Sequence, residues 1–276
     1  MNLVLAFVRK SVARLRAPSP KPKGWLDPEE DSLVPPRDQW IGPDDSISHY
    51  FRWIWEYLAY LTIVAELQRE EAVLELGCGH GRTSRGLLSY LRSPGSYVGI
   101  DVSRDRIADA QNRITRRWPN FGFVWANVRN LQDNPGGADA AEYVFPFNDA
   151  SFDVIYAASL FSHLLPGETA NYLKQCARVL RPGGRCLFSF FVLDAYRGPK
   201  TTISALYEFD HELPGYPDVA VRDLAYPHAA IAYRRAFIES AARGAGLRVE
   251  RVLPGLWSET PGLAVNEQDL VLLRRA

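Results

Sequence analysis

Between residues 73 and 84 the chain reads Val-Leu-Glu-Leu-Gly-Cys-Gly-His-Gly-Arg-Thr-Ser, an apolar run that gives way to glycine at every second position. A short apolar run followed by glycines and then a helical pattern marks a strand that leaves a sheet, turns tightly and enters a helix. Glycine at 77, 79 and 81 lets the backbone turn sharply and lets a ligand approach with no Cβ in the way. Asp101 ends the next apolar run, where a carboxylate can accept hydrogen bonds from both hydroxyls of a ribose. A dinucleotide fingerprint, GxGxxG, needs glycine at 82, and this chain has Arg82 there. That spacing argues against an NAD-dependent oxidoreductase.

Regular alternation surrounds this turn. Strands are expected at 72–76, 96–100, 121–125 and 152–157, with helices at about 82–91 and from a Ser103 cap to about 116. A helix at 168–180 should stop at Arg181-Pro182-Gly183-Gly184, followed by a strand at 185–192. A helix at 231–246 and strands at 247–253 and 268–273 complete the pattern. Strands alternating with helices predict an α/β fold with a doubly wound, mostly parallel sheet. Ahead of it, 46–68 reads as one long helix carrying Tyr50, Phe51, Trp53, Trp55, Tyr57 and Tyr60. The stretch 194–230 is too long for a simple connection, and its Tyr196, Tyr207, His211, Tyr216, Tyr226 and His228 suit an inserted acceptor lid.

Composition narrows the function further. The 276 residues hold 32 basic and 32 acidic side chains, so the net charge is zero and no nucleic-acid partner is expected. No apolar run reaches membrane-spanning length. Cys78, Cys176 and Cys186 form no CxxC pair and read as thiols in a reducing cytoplasm. The first 23 residues carry six basic and no acidic side chains, and Val4, Val8, Val12 and Leu15 recur at helical spacing. Residues 1–16 therefore suit either a helix lying on an anionic membrane surface, which would place the protein at its inner face, or a simple leader. Prolines from Pro18 to Pro43 mark a linker, giving a boundary between 1–45 and a catalytic domain at 46–276.

The GxGxG turn resembles motif I of class I S-adenosylmethionine-dependent methyltransferases. Tyr97-Val98-Gly99-Ile100-Asp101 resembles that family's second motif, 147–155 its fourth-strand motif and 177–185 its fifth. The resemblance implies a seven-stranded sheet with an N-terminal helical extension and the lid. It implies S-adenosylmethionine as cofactor and S-adenosylhomocysteine as product. It gives the backbone from Glu75 through Gly77, Cys78 and Gly79 to Gly81 the methionine end, and Asp101 the ribose. Asn127 stands where the family usually has an adenine-binding aspartate, and Val102, Val128 and Ala157 would line the same pocket. Glu75 replaces a frequent aspartate and is expected to bond the amides of the turn.

Ser159-Leu160-Phe161-Ser162-His163-Leu164 would face the methyl donor, which makes His163 the candidate general base. The alternative is a histidine that orders the loop. Tyr50, Tyr196, Tyr207 and His211 are candidates for contact with the acceptor, and His80 is expected to act behind the turn. No acidic cluster follows the fourth strand, so no metal is expected. A narrower likeness, carried by Ile114-Thr115-Arg116-Arg117-Trp118-Pro119-Asn120-Phe121, Asn134-Pro135-Gly136 and Gln268-Asp269-Leu270-Val271, is to bacterial enzymes of glycan, lipid or secondary-metabolite pathways. It names no substrate; a small-molecule, glycan or lipid-linked acceptor is expected, with oxygen the preferred nucleophile ahead of nitrogen and carbon. N-methylation, or a cofactor-binding module without catalysis, are the alternatives.

Overall fold

The computed structural model describes residues 47–195, 207–259 and 266–275, with Leu33 besides. The elements below lie in the unit Trp40–Ala276. The leader at 1–16 and the proline-rich linker fall outside the described residues, as does Tyr196.

The strands are β1 (Ala72–Leu76), β2 (Ser96–Asp101), β3 (Phe121–Trp125), β4 (Phe152–Ala157), β5 (Leu180–Phe190), β6 (His211–Leu213), β7 (Tyr216–Val221), β8 (Ile231–Tyr233), β9 (Leu247–Leu253) and β10 (Asp269–Arg275). Seven form one sheet in the order β3-β2-β1-β4-β5-β10-β9. Strands β1 to β5 pair in parallel, and β10 runs antiparallel to both β5 and β9. The order reverses between β1 and β4, which opens a crevice above their carboxyl ends. Val73, Leu74 and Leu76 in β1, and Val154 and Ile155 in β4, are sealed from solvent, as central strands covered on both faces must be. Each such side chain contributes about 1.5–3 kcal/mol through burial.

The helices are α1 (Ile47–Ala59), α2 (Ser84–Tyr90), α3 (Arg104–Ala110), α4 (Pro166–Val179) and α5 (Arg235–Ala245). Helix α1 runs on through a wider π turn, Tyr60–Val64, and ends short of the expected Gln68 because Glu66 takes a left-handed φ of 53°. Its buried Tyr50, Ile54, Tyr57 and Leu61 form one face, while Trp55 and Ile63 point outward. That face crosses α2 closely. A Cβ on Gly86 would lie 3.0 Å from the Ile54 carbonyl oxygen and 3.2 Å from Leu58 Cβ. Arg185 anchors the end of α1 to the sheet. Its guanidinium donates to the carbonyls of Ala65 and Glu66 and, through two bonds of 2.8 Å, to the Glu71 carboxylate.

Several boundaries differ from expectation, each for a local reason. Ser103 holds the N-cap position of α3, but its side chain makes no capping bond; its main chain is fixed by the Asp101 carboxylate instead. Helix α4 starts two residues early because Pro166 supplies a ready-made first turn and Glu168 accepts the Leu165 N–H at 2.6 Å. Strand β5 begins at Leu180. Phe152 pairs with Leu180 and Val154 with Arg185, so Arg181–Gly184 is accommodated as a bulge inside the strand. The expected helix at 231–246 starts only at Arg235. Ile231, Ala232 and Tyr233 are sealed from solvent and pair with β7 as a strand. The expected insertion at 194–230 holds regular structure in its described part. Strands β6, β7 and β8 form a second antiparallel sheet whose Val219, Val221, Ile231 and Tyr233 join the main core.

Candidate functional site

The turn after β1 is built from below. The N–H groups of Gly77 and Cys78 both donate to the Ile100 carbonyl, at 2.8 and 3.0 Å, and Gly81 N–H donates to the Cys78 carbonyl. Gly77, Gly79 and Gly81 all take positive φ, of 74°, 53° and 77°. Their neighbourhoods differ. A Cβ on Gly81 would come within 2.9 Å of Ile114 and Phe123, whereas a Cβ on Gly79 would meet nothing within 4 Å. Gly81 is therefore required for packing, and Gly79 presents bare main chain to open space.

Asp101, at the end of β2, joins the turn to the next strand. Its Oδ2 accepts the Gly79 N–H at 2.8 Å and its Oδ1 accepts the Ser103 N–H at 2.9 Å. Each carboxylate oxygen keeps a second lone pair for a ligand hydroxyl. Val102 is half-buried beside it, its carbonyl receiving the Trp125 indole N–H.

Glu75 does not bond the amides of the turn. It is buried beneath them, where its carboxylate accepts the hydroxyls of Thr83, Tyr97 at 2.5 Å and Tyr156 at 2.6 Å. Burial pushes its pKa up to about 7 against the pull of those hydroxyls. The carboxylate thus ties β1, β2, β4 and the start of α2 together from inside. Cys78 is buried and desolvation pushes its thiol pKa up. Val128 and Ala157 have their side chains in the core, leaving only main chain to face a ligand. Asn127 is exposed, but its Oδ1 accepts the Asn134 amide at 3.1 Å and its carbonyl accepts the Ala138 N–H. The Asn134 amide therefore takes one of the two lone pairs on the oxygen that an adenine amino group would use.

Helix α1 covers the far side of the turn with aromatic rings set against arginines. The Arg82 guanidinium lies 4.4 Å from the Trp53 ring centre and 5.9 Å from that of Tyr50, and Arg85 lies 4.9 Å from Phe51. Tyr50 is buried there, which pushes its pKa up to about 12. His80 sits behind the turn, its Nδ1 3.0 Å from Asp109.

His163 follows β4 on a single 3₁₀ turn, Phe161–His163. Its Nδ1–H donates to the His228 carbonyl at 2.8 Å, which leaves Nε2 as the basic nitrogen. The residue is solvent-accessible, yet desolvation lowers its pKa below the ordinary imidazole value. The His228 ring meets Glu168 at 3.3 Å, and that carboxylate raises the His228 pKa.

Of the acceptor candidates, Tyr207 packs 4.8 Å from Phe191, and His211 stands exposed on the edge strand β6. His211 pairs with Val221 and is not brought to the glycine turn by any described bond. Sequence reasoning assigned no role to Ser159, Ser162, Ser189 or Gln268, which gather above β4 and β5. The available signals were the polar Ser159 and Ser162 in the segment after β4 and the glutamine opening the last strand.

Residues 74–186 match the methyltransferase domain family. The phthiotriol/phenolphthiotriol dimycocerosates methyltransferase 1 of Mycobacterium ulcerans is 36% identical over 117 residues, which cover 42% of this chain and 36% of that protein. The O-methyltransferase cnsE of Penicillium expansum is 31% identical over 146 residues, 52% of this chain and 46% of its own. The matched stretches thus span less than half of each relative. Among solved structures, the PH0226 protein of Pyrococcus horikoshii OT3 superposes with a TM-score of 0.56 at 21% identity, covering 88% of this chain and 97% of that one. At that identity the likeness is one of fold.

Proposed function

We propose that this chain, a member of the class I S-adenosylmethionine-dependent methyltransferases by its domain and its sheet, transfers a methyl group from S-adenosylmethionine to a hydroxyl of a small-molecule or lipid-linked acceptor. The observation that carries this reading is the turn Gly77–Gly81, bonded to Asp101 from below and open above Gly79. The space a Cβ would fill at Gly79 fits an adenosyl ligand laid directly on main chain. By their names, the two relatives methylate dimycocerosates and an oxygen, and this supports an oxygen nucleophile here.

The main chain from Gly77 to Gly81 would hold the methionine end, and the free lone pairs of Asp101 would take the ribose hydroxyls. Asn127 would take the adenine amino group on the second lone pair of its Oδ1, with Val128 beside it. When bound, the cofactor supplies a methyl group on a positively charged sulfur, activated for displacement. Nε2 of His163 would take the proton of the attacking hydroxyl, with Nδ1–H held by the His228 carbonyl. Tyr50 and the other aromatic residues of α1 would shut water out on one side, and Tyr207 on the other. The basic leader supports a place at the inner face of a membrane.

Calorimetry with S-adenosylhomocysteine and with NAD tests the cofactor, and release of S-adenosylhomocysteine across pooled alcohols, amines and acids tests the reaction. Binding of NAD with no response to S-adenosylhomocysteine would sink the proposal.

A further inference from the structure

Above β4 and β5, on the flank of β4 away from the glycine turn, a polar cluster sits among apolar rings. Ser159 takes a left-handed φ of 58°, a strained backbone state of the kind that gathers at ligand sites. Its N–H donates to Ser189 Oγ at 2.7 Å. The side-chain amide of Gln268 donates to Ser159 Oγ at 3.1 Å and to Ser162 Oγ at 3.3 Å. The Ser162 Oγ also lies 3.4 Å from the Ser159 carbonyl and 3.4 Å from Ser159 Oγ, and its oxygen accepts from the Gln268 NH₂. Among the described residues Gln268 Oε1 is left buried with no hydrogen-bond partner, on a residue more than nine-tenths shielded from solvent. Buried polar atoms are normally paired, so an unpaired one beside a functional turn asks for a ligand.

The strand order says which ligand. Strands β1 and β2 carry Gly77–Gly81 and Asp101, whereas β5 carries Ser189 and Gln268 immediately precedes β10, two strands away across β4. The two halves meet at Leu160, whose Cδ1 lies 3.6 Å from where a Cβ on Gly77 would stand. The nucleotide side is thus served by β1 and β2, and the cluster faces whatever meets the methyl group from over β5. Its surroundings are apolar. Phe161 stacks on Phe188 and Phe190 at 4.5 and 4.8 Å, and Trp257 is fixed to Asp269 next to Gln268.

We propose that Gln268 Oε1 is the docking point for an acceptor hydroxyl, in a site completed by Ser159 and Ser162, and that it selects an alcohol over a carboxylate. This rests on the methyl-transfer reading above. An amide oxygen offers lone pairs only, so an alcohol O–H donates to it, whereas a carboxylate would set oxygen against oxygen. An amide oxygen takes up no proton at neutral pH, so Gln268 is a binding residue, and proton removal stays with His163.

The test uses the full chain saturated with S-adenosylhomocysteine and two matched probes, 1-octanol and octanoate. The Gln268 side-chain amide resonance is assigned by its loss in Gln268→Leu, and each probe is titrated against it. The expected result is a saturable shift with 1-octanol and none with octanoate. In Gln268→Leu, followed through neighbouring resonances, octanol affinity should fall at least about tenfold, the effect of one lost hydrogen bond, whereas Gln268→Glu keeps an acceptor oxygen and should retain octanol binding. Affinity for S-adenosylhomocysteine should stay unchanged in both variants. An octanoate shift as large as the octanol shift, no shift with either probe, or unaltered octanol binding in Gln268→Leu overturns the proposal. Failure of the unmodified chain to bind S-adenosylhomocysteine would instead overturn the methyl-transfer reading on which it stands.

Discussion

The main-chain N–H of Gly79 donates to Oδ2 of Asp101 at 2.8 Å, so the residue proposed to hold the ribose also holds the turn proposed to hold the methionine end. Asp101→Ala should therefore damage both contacts at once. Affinity for S-adenosylhomocysteine should fall by a factor equivalent to roughly 1–3 kcal/mol, as for loss of a charged hydrogen-bond partner. Asp101→Asn keeps an acceptor for Gly79 and should lose less. Calorimetry on the two variants checks the ranking, and equal losses would show that charge, not turn geometry, dominates.

Glu75 gives stability a pH dependence of definite sign. Its folded pKa of about 7 lies above the ordinary carboxyl value of 4.5, so between those two values the folded state binds more protons than the unfolded one. Stability from this group is full below the lower value and declines as pH rises toward about 7. Thermal unfolding of Glu75→Gln, which cannot ionise, should show a flatter profile between pH 5 and 8 than the parent. Because glutamine offers one oxygen to three hydroxyl donors, its Tm at pH 5 should also be lower.

His163 should titrate below the ordinary imidazole value, since desolvation is the largest influence on it. Its neutral form then predominates at pH 7 and Nε2 is available as a base. Ring resonances followed by NMR should move with a midpoint under 6.5, and His228, raised by Glu168, should titrate above it. With any acceptor found by screening, His163→Ala should lower kcat by about 10²–10⁴ without weakening S-adenosylhomocysteine binding. An inverted order of the two midpoints would remove the physical basis for His163 as base.

Arg185 should matter far more to folding than its distance from the glycine turn suggests. Removing it leaves the Glu71 carboxylate with only the Gln68 N–H and the Ala65 and Glu66 carbonyls without this donor. Arg185→Ala should lower unfolding free energy by about 3–5 kcal/mol, read by denaturant titration. A loss under about 1 kcal/mol would mean that water replaces the guanidinium readily.

The basic leader makes a separate prediction. The full chain should co-sediment with vesicles containing anionic lipid, and a chain lacking residues 1–16 should not, with cofactor affinity equal in both. Equal sedimentation would reduce the leader to a tail.

The sheet was largely legible in the sequence because its strands carry short apolar runs bounded by glycine, proline or polar residues. β1, β3, β4 and β9 match their expected limits to the residue. What stayed hidden was decided by distant contacts. Ile231-Ala232-Tyr233 reads as the opening of a helix until β7 is placed beside it, and Arg181–Gly184 reads as a break until Val154 pairs beyond it. The glycine turn and Asp101 were legible because their spacing is local. Glu75 was assigned the wrong partners since its three hydroxyl donors come from Thr83, Tyr97 and Tyr156, and strand pairing alone brings the two tyrosines to it. Gln268 was noted only as part of a closing pattern, because its serine partners lie more than a hundred residues away.

The close crossing of α1 and α2 at Gly86 has a mechanical consequence. With the Ile54 carbonyl 3.0 Å from the position of a Cβ, even alanine acts as a wedge that levers α1 outward. Arg82 just before α2 and Arg85 on α2 hold Trp53 and Phe51 on α1, so the displacement is transmitted along the helix instead of being absorbed at the crossing. A single methyl group, added where no ligand is expected to touch, would thus lift the aromatic cover from the glycine turn and turn a shielded site into a leaking one.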